Sequence, residues 1–374
     1  MKIAYLGSKG LPSRSGTERV VEAIASRLSA KHEITIYCDS RYTPKNTRIT
    51  GISLIRVFTI KGKYTQAPSL FIFSALHALF SKYDLIHLNG VDACFILLIL
   101  RLRYKVITTA HGTPGRLTRL KWSKFARWLI RLMEYPFVYL STYTTSVSYL
   151  DAEYLKKRYH RHVFYIPNGV DEKIPYDSQK AERKLEQLDL APGKYILFAA
   201  GRIDPTKGCH LVLEAMNQLG YPLKVVIIGD LNQLQSYSDH LRKIADQRKV
   251  VFIPPIHDRE LLFGIIKLAR IFIFPSTDEG MSMMLLEAAT LRAPIVCSDI
   301  PENKIALQDN ALYFRTGDAV DLAKKIDWAI GHPNEMQELG DHASNCVSDN
   351  LAWGKIVERY NKLYISSSNN QEYS

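Results

Sequence analysis

Short apolar segments alternate with amphipathic segments along the whole chain, and this alternation begins twice. The first set of predicted strands is Lys2–Leu6, Glu33–Cys38, Leu85–Leu88, Lys105–Thr109 and Tyr143–Val147. The second set is Tyr195–Ala200, Lys224–Ile228, Val250–Ile253, Ile271–Phe274 and Pro294–Ser298. Apolar strands separated by helices are typical of parallel sheets with both faces covered. The sequence therefore predicts an α/β protein of two doubly wound, Rossmann-like domains that face each other across a cleft.

The length of 374 residues also favours two domains. The first is predicted over residues 1–166 and the second over 195–352. Between them, residues 167–194 contain three prolines and a charged segment and are predicted to be a linker region. After residue 352, the segment 353–366 carries apolar residues at helical spacing, which need a surface to pack on.

The charge is unevenly distributed between the two halves. Residues 1–170 have a net charge of +17 and residues 171–374 a net charge of −5. The basic half is expected to meet an anionic partner, which the charge alone leaves open between nucleic acid, a phosphorylated ligand and a membrane surface.

Cysteine usage and hydropathy bear on the compartment. The five cysteines are scattered and form no CxxC pair, which indicates a reducing cytoplasm and neither a disulfide framework nor a structural zinc site. The N-terminus is predicted to be a first strand rather than a signal peptide. The longest apolar run, Ala93–Leu100, is too short for the ~20 residues that a membrane span requires, so a soluble or peripheral protein is expected.

A glycine-rich loop follows the first strand. Gly7, Gly10 and Gly16 lie in a segment that opens a helix near Thr17. A helix N-terminus can bind phosphate, although a simple strand–helix turn that needs flexible glycines explains the pattern equally well. The spacing is not GxGxxG, so a nicotinamide site is only weakly supported.

Two motifs in the second half are more specific. In GRIDPTKG, a strand ends beside Arg202, and Lys207 precedes a helix. Both cations can therefore reach one diphosphate. The alternative is that they are ordinary surface residues at a turn. In DEGMSMMLLEA, Glu279 and Glu287 lie eight residues apart, about two helical turns. Both can then face one ligand, with its phosphates over a helix that begins near Ser282. In the alternative interpretation, Glu279 is only an acidic residue at a helix start and Glu287 is a solvated surface residue. The apolar residues next to Glu287 in the sequence argue against the alternative for that residue.

The chain resembles GT-B-fold, retaining glycosyltransferases of glycosyltransferase family 4, and the resemblance covers essentially the whole sequence. Its motifs occur in the family's order: PSRSGTERVVEAIASRL, YDLIHLNG, VITTAHG, YIPNGVD, GRIDPTKG, DEGMSMMLLEA and PIVCSDIPEN. The first half is most similar to enzymes that build bacterial surface polysaccharides. The resemblance further implies that the helix at residues 353–366 crosses back onto the first domain.

The resemblance also implies roles for individual residues. Arg202 and Lys207 match the residues that hold the donor diphosphate, Glu279 the carboxylate at the donor sugar, and Glu287 the carboxylate at the ribose. His111 matches a histidine on the acceptor side, and Gly16 a loop glycine near the reaction centre. The predicted catalytic residues are Glu279, His111, Arg202 and Lys207. The predicted donor-binding residues are Gly16, Arg202, Lys207, Glu279, Gly280, Met281, Ser282, Met283 and Glu287.

The chain departs from the family pattern in three places. Met281-Ser282 replaces a Phe-Gly pair, Arg292 replaces a glycine, and Pro254-Pro255 stand in a loop that usually has glycine. In relatives the main chain of that last loop touches the base of the donor, and proline has no N–H to offer.

The expected reaction is metal-independent transfer of a hexose from a nucleotide sugar, with a UDP-sugar favoured and no cofactor. The chain has no DxD pair, so fixed cations are expected to stabilise the leaving diphosphate. The resemblance implies front-face transfer, in which the departing phosphate helps to deprotonate the acceptor. A nucleotide-sugar epimerase or sugar phosphorylase of the same fold, and a two-lobed sugar-binding protein without activity, are the alternatives.

A basic, aromatic segment over Arg116–Met133 suggests where an acceptor is met. It contains six basic and no acidic residues, a composition typical of a helix at a membrane interface. The alternative is an ordinary amphipathic helix that packs on its own domain; nucleic acid is not expected, because no binding motif is present. A lipid-diphosphate-linked glycan acceptor at the inner face of the cell membrane would suit this charge. The predicted membrane residues are Arg119, Trp122, Lys124, Phe125, Arg127 and Arg131.

Overall fold

The computed structural model describes residues 1–13, 15–62, 64–113, 124–220, 223–246 and 249–369, without the side chains of 124–127 and 129–131. The described chain forms two compact units. Unit 1 contains residues from Met1 to Gly169 together with the C-terminal segment from Trp353, and unit 2 runs from Val170 to Ala352.

Within its described residues, unit 1 is built on a seven-stranded sheet whose neighbouring strands are all parallel, in the order β3-β2-β1-β4-β5-β6-β7. Its strands are β1 Lys2–Leu6, β2 Glu33–Asp39, β3 Ile52–Val57, β4 Leu85–Asn89, β5 Lys105–Ala110, β6 Tyr143–Ser146 and β7 Val163–Tyr165. Its first helices are α1 Gly16–Leu28, α2 Gln66–Leu79, α3 Leu97–Leu100, α4 Lys124–Tyr139 and α5 Tyr149–Tyr159, with a 3₁₀ segment at Val91–Ile96.

Unit 2 contains a six-stranded parallel sheet in its described residues, in the order β10-β9-β8-β11-β12-β13. Its strands are β8 Tyr195–Arg202, β9 Lys224–Asp230, β10 Val250–Ile253, β11 Ile271–Phe274, β12 Ile295–Ser298 and β13 Leu312–Phe314. Its helices are α6 Ser178–Glu186, α7 Cys209–Leu219, α8 Gln235–Ile244, α9 Arg259–Lys267, α10 Met283–Thr290, α11 Pro301–Leu307, α12 Ala319–Gly331 and α13 Pro333–Leu351. A further 3₁₀ turn spans Pro205–Lys207. Two parallel-sheet, Rossmann-like units thus confirm the predicted fold class.

Three strands that sequence analysis did not predict all lie at the edges of the sheets. They are β3, β7 and β13. An edge strand has only one neighbour, and so it does not need the continuous apolar run that identifies a strand buried on both faces. In β3, the sequence ISLIRV mixes apolar and polar residues, and only Ile52 and Val57 are buried.

The segment predicted as a linker, 167–194, is largely a packed part of unit 2. From Val170 onward it belongs to that unit, and it contains α6. Ala181 and Leu185 of α6 lie in the main apolar core of the unit. A Cβ added at Gly264 in α9 would lie 2.6 Å from the carbonyl oxygen of Asp177, so the two helices approach closely. The proline-rich composition therefore marks the entry into unit 2 rather than a free connection.

The last helix, α14, spans Trp353–Asn369 and lies in unit 1. It packs against α1 and β5. A chain of buried hydrogen bonds ties it to the sheet: the Tyr364 hydroxyl lies 2.9 Å from the Tyr5 hydroxyl and 2.6 Å from Nδ1 of His87. Nε2 of His87 lies 2.6 Å from the Thr109 hydroxyl. The apolar stripe noted in the sequence thus has its partner surface within unit 1.

Burial of His87 makes the stability of unit 1 depend on pH. Desolvation lowers the pKa of this imidazole from 6.5 to about 3, so below pH 6.5 the unfolded chain binds a proton that the folded unit does not. We expect the free energy of unfolding to fall between pH 6.5 and pH 3, by at most ~1.4 kcal/mol per pH unit from this residue. Urea unfolding of the wild type and of His87→Gln across this range tests it.

The His87→Gln variant should show the shallower pH dependence of the two proteins. It will be less stable near neutral pH because it loses two buried hydrogen bonds. An equal slope in both proteins would contradict the assignment of this pH dependence to His87.

Candidate active site

Two loops at the C-terminal edge of the unit 2 sheet are joined to each other. One follows β8 and contains the 3₁₀ turn; the other follows β11, which is the neighbour of β8. The Thr277 amide donates to the Thr206 carbonyl at 2.8 Å. Gly208 has a φ of +69°, and a Cβ there would lie 2.3 Å from the carbonyl oxygen of Pro275. The glycine after Lys207 is therefore required by both conformation and space.

This junction brings Lys207 to Glu279. The Lys207 ammonium donates to Oε1 of Glu279 at 2.6 Å, and the two side chains are 22% and 10% exposed. The pair was not predicted, because the sequence assigned the lysine to a diphosphate and the carboxylate to a sugar. An ammonium and a carboxylate in contact provide, side by side, a cation for a phosphate and an acceptor for a hydroxyl.

The second predicted carboxylate, Glu287, lies on α10 and is 2% exposed. Its Oε1 accepts a hydrogen bond of 2.6 Å from the Arg259 guanidinium, which is half-exposed. Arg259 is the first residue of α9, and its guanidinium also lies 5.1 Å from the ring centre of Phe263. Sequence analysis missed Arg259 because an arginine in the first turn of a helix carries no specific signal.

The N-terminus of α10 completes this part of the site. Gly280, Met281 and Ser282 are half-buried and lead into Met283, the first residue of the helix. The Ser282 side chain accepts a hydrogen bond from the Leu285 amide as the N-cap. Other amides of the first turn have no partner within the helix, and with the helix dipole they favour an anion here.

Arg202, the other predicted diphosphate residue, is the last residue of β8 and is exposed. The strand register places it beside Asp230 at the end of β9. Arg202 thus lies on the same sheet edge as Lys207, five residues before it along the connecting loop.

A cavity of about 150 Å³ lies at the C-terminal ends of β9 and β10. Its lining includes Gly229–Asn232, Arg242, and the segment from Phe252 to Pro255. Arg242 lies 5.6 Å from the ring centre of Phe252 and forms one wall with it. The Pro254-Pro255 departure from the family pattern is therefore part of the lining of this cavity.

Arg292, the second departure, has a φ of +56° immediately after α10. This is the left-handed region in which an L side chain is strained and glycine is not. Its guanidinium makes an exposed contact of 3.4 Å with Asp341.

We expect Arg292→Gly to stabilise unit 2 by about 1 kcal/mol, because relief of the strained φ outweighs the flexibility that glycine adds to the unfolded chain. Arg292→Ala is the matched control: it removes the same ion pair and keeps the Cβ, so it should give no gain. Thermal unfolding of both variants measures the difference, and an equal stability of the two would contradict the explanation.

In unit 1, the ends of β1, β4 and β5 place three residues together. Gly7 has a φ of +91°, and a Cβ there would lie 2.0 Å from the carbonyl oxygen of Asn89. Nδ2 of Asn89 donates to the Leu6 carbonyl at 3.3 Å, so its Oδ1 faces Nε2 of His111 at 3.0 Å. Nε2 therefore carries the proton, and Nδ1 of His111 is left as a hydrogen-bond acceptor. Sequence analysis missed Asn89, whose signal was a polar residue at the end of a buried strand.

Burial lowers the pKa of His111 to about 4. The imidazole is therefore neutral at physiological pH and can accept a hydrogen bond at its unprotonated nitrogen.

Gly16, the predicted loop glycine, is the first residue of α1, and a Cβ at this position would meet no atom within 4 Å. The loop before it is held by Glu18, which is 3% exposed. The Glu18 carboxylate accepts hydrogen bonds from the Lys9 amide at 3.2 Å and from the Ser15 hydroxyl. The open space at Gly16 is compatible with a ligand that approaches the backbone.

The predicted membrane residues are only partly described. Arg119 and Trp122 lie outside the described residues. Lys124, Phe125, Arg127 and Arg131 lie on α4, but their side chains are not described. Within the described ranges, no helix is both long and apolar enough to cross a bilayer. In that same part of the chain, no group of three or more His, Cys, Asp or Glu side chains is arranged to hold a metal ion.

Two family models match the chain in succession. Residues 14–173 match the model described as Glycosyltransferase Family 4, and residues 180–345 match Glycosyl transferases group 1. The first match falls in unit 1 apart from its last residues, and the second lies within unit 2.

Similar proteins include the capsular polysaccharide biosynthesis glycosyltransferase CapM of Staphylococcus aureus, 24% identical over 216 residues, which are 54% of this chain and 55% of CapM. The chain spans about half the length of the curated relatives that it matches first.

Among solved structures, sucrose-phosphate synthase of Thermosynechococcus elongatus has a TM-score of 0.80 at 20% identity and covers 98% of both chains. Anabaena HepE in complex with UDP-glucose has a TM-score of 0.81 at 17% identity, over 98% of this chain and 100% of that one. These likenesses show the fold.

The two Rossmann-like units, the basic and acidic loops of unit 2 and these structural neighbours define a GT-B protein. With a matched model over each half, the chain belongs to glycosyltransferase family 4.

Proposed function

We propose that the chain transfers a hexose from a nucleotide sugar, with a UDP-sugar favoured, to a glycan acceptor in surface polysaccharide assembly. The observation that supports this proposal most directly is the Lys207–Glu279 pair beside the N-terminus of α10, in the region that matches the group 1 model. Two of the similar proteins support these substrates: CapM is a capsular polysaccharide biosynthesis glycosyltransferase, and HepE was solved in complex with UDP-glucose.

Unit 2 holds the donor in this proposal. Lys207, Arg202 and the first turn of α10 bind the diphosphate and stabilise the charge that develops on it as the glycosidic bond breaks. Glu287 accepts hydrogen bonds from the ribose hydroxyls and Glu279 from the sugar. The cavity at Arg242 and Phe252 takes the base.

Unit 1 supplies the acceptor side. Nδ1 of His111 accepts a hydrogen bond from a sugar hydroxyl, and Asn89 fixes the imidazole in the required tautomer. Because the pKa of His111 is lowered to about 4, this role does not change with pH near neutrality.

The proposed transfer retains the anomeric configuration. The bond between the anomeric carbon and the phosphate oxygen breaks, and the acceptor oxygen bonds to the same face of the ring. The proton of the acceptor hydroxyl passes to the departing phosphate oxygen, so the products are the glycoside and a nucleoside diphosphate. The support for this route is the family's retaining chemistry.

The acceptor is proposed to be a lipid-diphosphate-linked glycan, and the enzyme peripheral at the inner face of the cell membrane. The supports are the net charge of +17 in residues 1–170 and the six basic residues of Arg116–Met133.

A panel of UDP-, GDP-, dTDP- and ADP-hexoses tests the donor, because a ligand that binds the folded protein raises its melting temperature. The stabilising donor is then incubated with and without a glycan acceptor. Transfer with release of the nucleoside diphosphate supports the proposal. Conversion of the sugar without an acceptor would indicate an epimerase, and release of a sugar phosphate in the presence of inorganic phosphate a phosphorylase.

We expect transfer to persist in excess EDTA, because fixed cations rather than a DxD-bound metal are proposed to stabilise the leaving diphosphate. The rate is measured with EDTA, and again after addition of Mg²⁺ or Mn²⁺. Loss of activity on chelation that either ion restores would contradict the proposal.

A further inference from the structure

Helices α2, α3 and α4 lie in a row on one face of the unit 1 sheet: α2 packs against α3, and α3 against α4. Their inner residues belong to one apolar core, to which α2 contributes Phe71 and Ala75, α3 Leu97 and Leu100, and α4 Phe137. The opposite sides of the three helices form one outer layer of the unit.

This outer layer is apolar where solvent would favour polar residues. On α2 and its C-cap, Ile72, Leu76 and Phe80 recur every four residues and are 37%, 43% and 89% exposed. At α3, Leu98 is 66% exposed and Leu102 is 81% exposed, again four residues apart. Each spacing is that of a single helical stripe.

The third helix continues the pattern. On α4, Trp128, Leu132 and Tyr135 are all more than half exposed and follow helical spacing. We call these eight residues, which lie on α2, α3, α4 and directly after α2 and α3, the apolar face. Single exposed apolar side chains are ordinary, but a group of eight on adjacent helices marks an interaction surface.

The sequence that spans the apolar face is strongly basic. Residues 41–135 contain 16 Lys and Arg but only three acidic residues, Asp84, Asp92 and Glu134. Asp84 accepts a hydrogen bond from the Lys2 amide, and the buried Glu134 accepts hydrogen bonds from two tyrosine hydroxyls. Arg101 and Arg103 flank the exposed Leu102 and are themselves exposed.

We propose that the apolar face enters the interface of an anionic phospholipid bilayer, with α2 and α3 as contact elements in addition to the basic segment Arg116–Met133. A second copy of the chain is disfavoured as the occupant, because it would bring the same positive charge to the contact. Anionic headgroups complement the basic residues while the leucine and aromatic side chains enter the acyl boundary. This inference rests on the proposed function only for its membrane location.

The test compares two triple variants. Leu76→Ser, Phe80→Ser and Leu102→Ser together remove exposed parts of the apolar face; Leu234→Ser, Ile305→Ser and Val320→Ser remove exposed apolar residues from unit 2. Both are measured by co-sedimentation with phosphatidylglycerol–phosphatidylcholine vesicles and with pure phosphatidylcholine. We expect the first variant to bind the anionic vesicles at least 10-fold more weakly than the wild type, and the second to bind as the wild type does.

A labelled variant keeps the test valid if the triple variant does not fold. Of the five cysteines only Cys346 is not buried, so Leu102→Cys in a Cys346→Ser background gives one reactive site for an environment-sensitive dye. Its emission should shift to shorter wavelength with anionic vesicles, and a dye at Ile305→Cys should not respond.

The outcomes separate this inference from the proposed function. A nucleotide-sugar thermal shift that survives in the triple variant shows that donor binding is independent of the face. Unchanged vesicle binding in the triple variant with no dye response would overturn the inference. A wild-type dimer in sedimentation that becomes monomeric in the triple variant, with no lipid binding, would assign the face to a second copy and also overturn it.

Discussion

Replacement of Lys207 by methionine is expected to slow glycosyl transfer by about 100-fold or more. The ammonium is proposed to stabilise the charge on the leaving diphosphate, and a single such group contributes about 3–4 kcal/mol to a transition state. The methionine keeps most of the side-chain volume and leaves Glu279, only 10% exposed, without the Lys207 ammonium. The loss should fall on kcat, because the charge develops mainly in the transition state.

Lys224→Met is a matched control for this change, since Lys224 also pairs at 2.6 Å with a carboxylate, that of Asp189, elsewhere in unit 2. It should leave kcat within the error of the wild type. Single-turnover rates with a saturating donor measure both variants, and a Lys207→Met enzyme with wild-type turnover would contradict the diphosphate assignment.

Substitution of Glu287 by glutamine is expected to weaken donor binding by about 100-fold, because hydrogen bonds to a charged group contribute about 1.5–3 kcal/mol each. The amide keeps the shape of the side chain and loses both the charge and the full set of acceptor sites. Titration calorimetry with the donor found in the thermal-shift panel measures the effect.

Arg259→Gln tests whether the guanidinium orients Glu287. If it does, the variant should bind the donor less tightly while its kcat stays similar to that of the wild type. Asp341→Asn, an exposed change on α13 of the same unit, should affect neither quantity. Unchanged donor affinity in Glu287→Gln would refute the ribose role.

The strands of the sheet interiors were predictable from sequence, whereas three of the four edge strands, β3, β7 and β13, were not, for a physical reason. A strand such as Ile271–Phe274 has helices on both faces and neighbours on both sides, so all four of its residues are apolar. The edge strand Ile52–Val57 is only partly covered and keeps Arg56 in its sequence. A run of apolar residues therefore indicates burial, and it identifies a strand only where the strand is itself buried.

Sequence analysis could find site residues that are unusual within their own segment, but not the pairs that only the folded chain brings into contact. A carboxylate surrounded by apolar residues, as at Glu287, is unusual enough to be noticed in a sequence. Its contact with Arg259 joins two residues that are 28 positions apart on different helices, and nothing in either segment specifies the other. The contact of Lys207 with Glu279 spans 72 residues and depends on the close approach of Gly208 to Pro275, which only the assembled sheet defines.

The position of α14 has a consequence for the order of folding during synthesis. Tyr5 and Tyr364 are 359 residues apart in the chain, yet their hydroxyls share a buried hydrogen bond in unit 1. Every residue of unit 2, from Val170 to Ala352, leaves the ribosome before α14 does. The unit that begins first is therefore the last to be completed, and until then its sheet exposes the surface that α14 covers. A nascent chain has all of unit 2 available while its N-terminal unit still lacks its final helix.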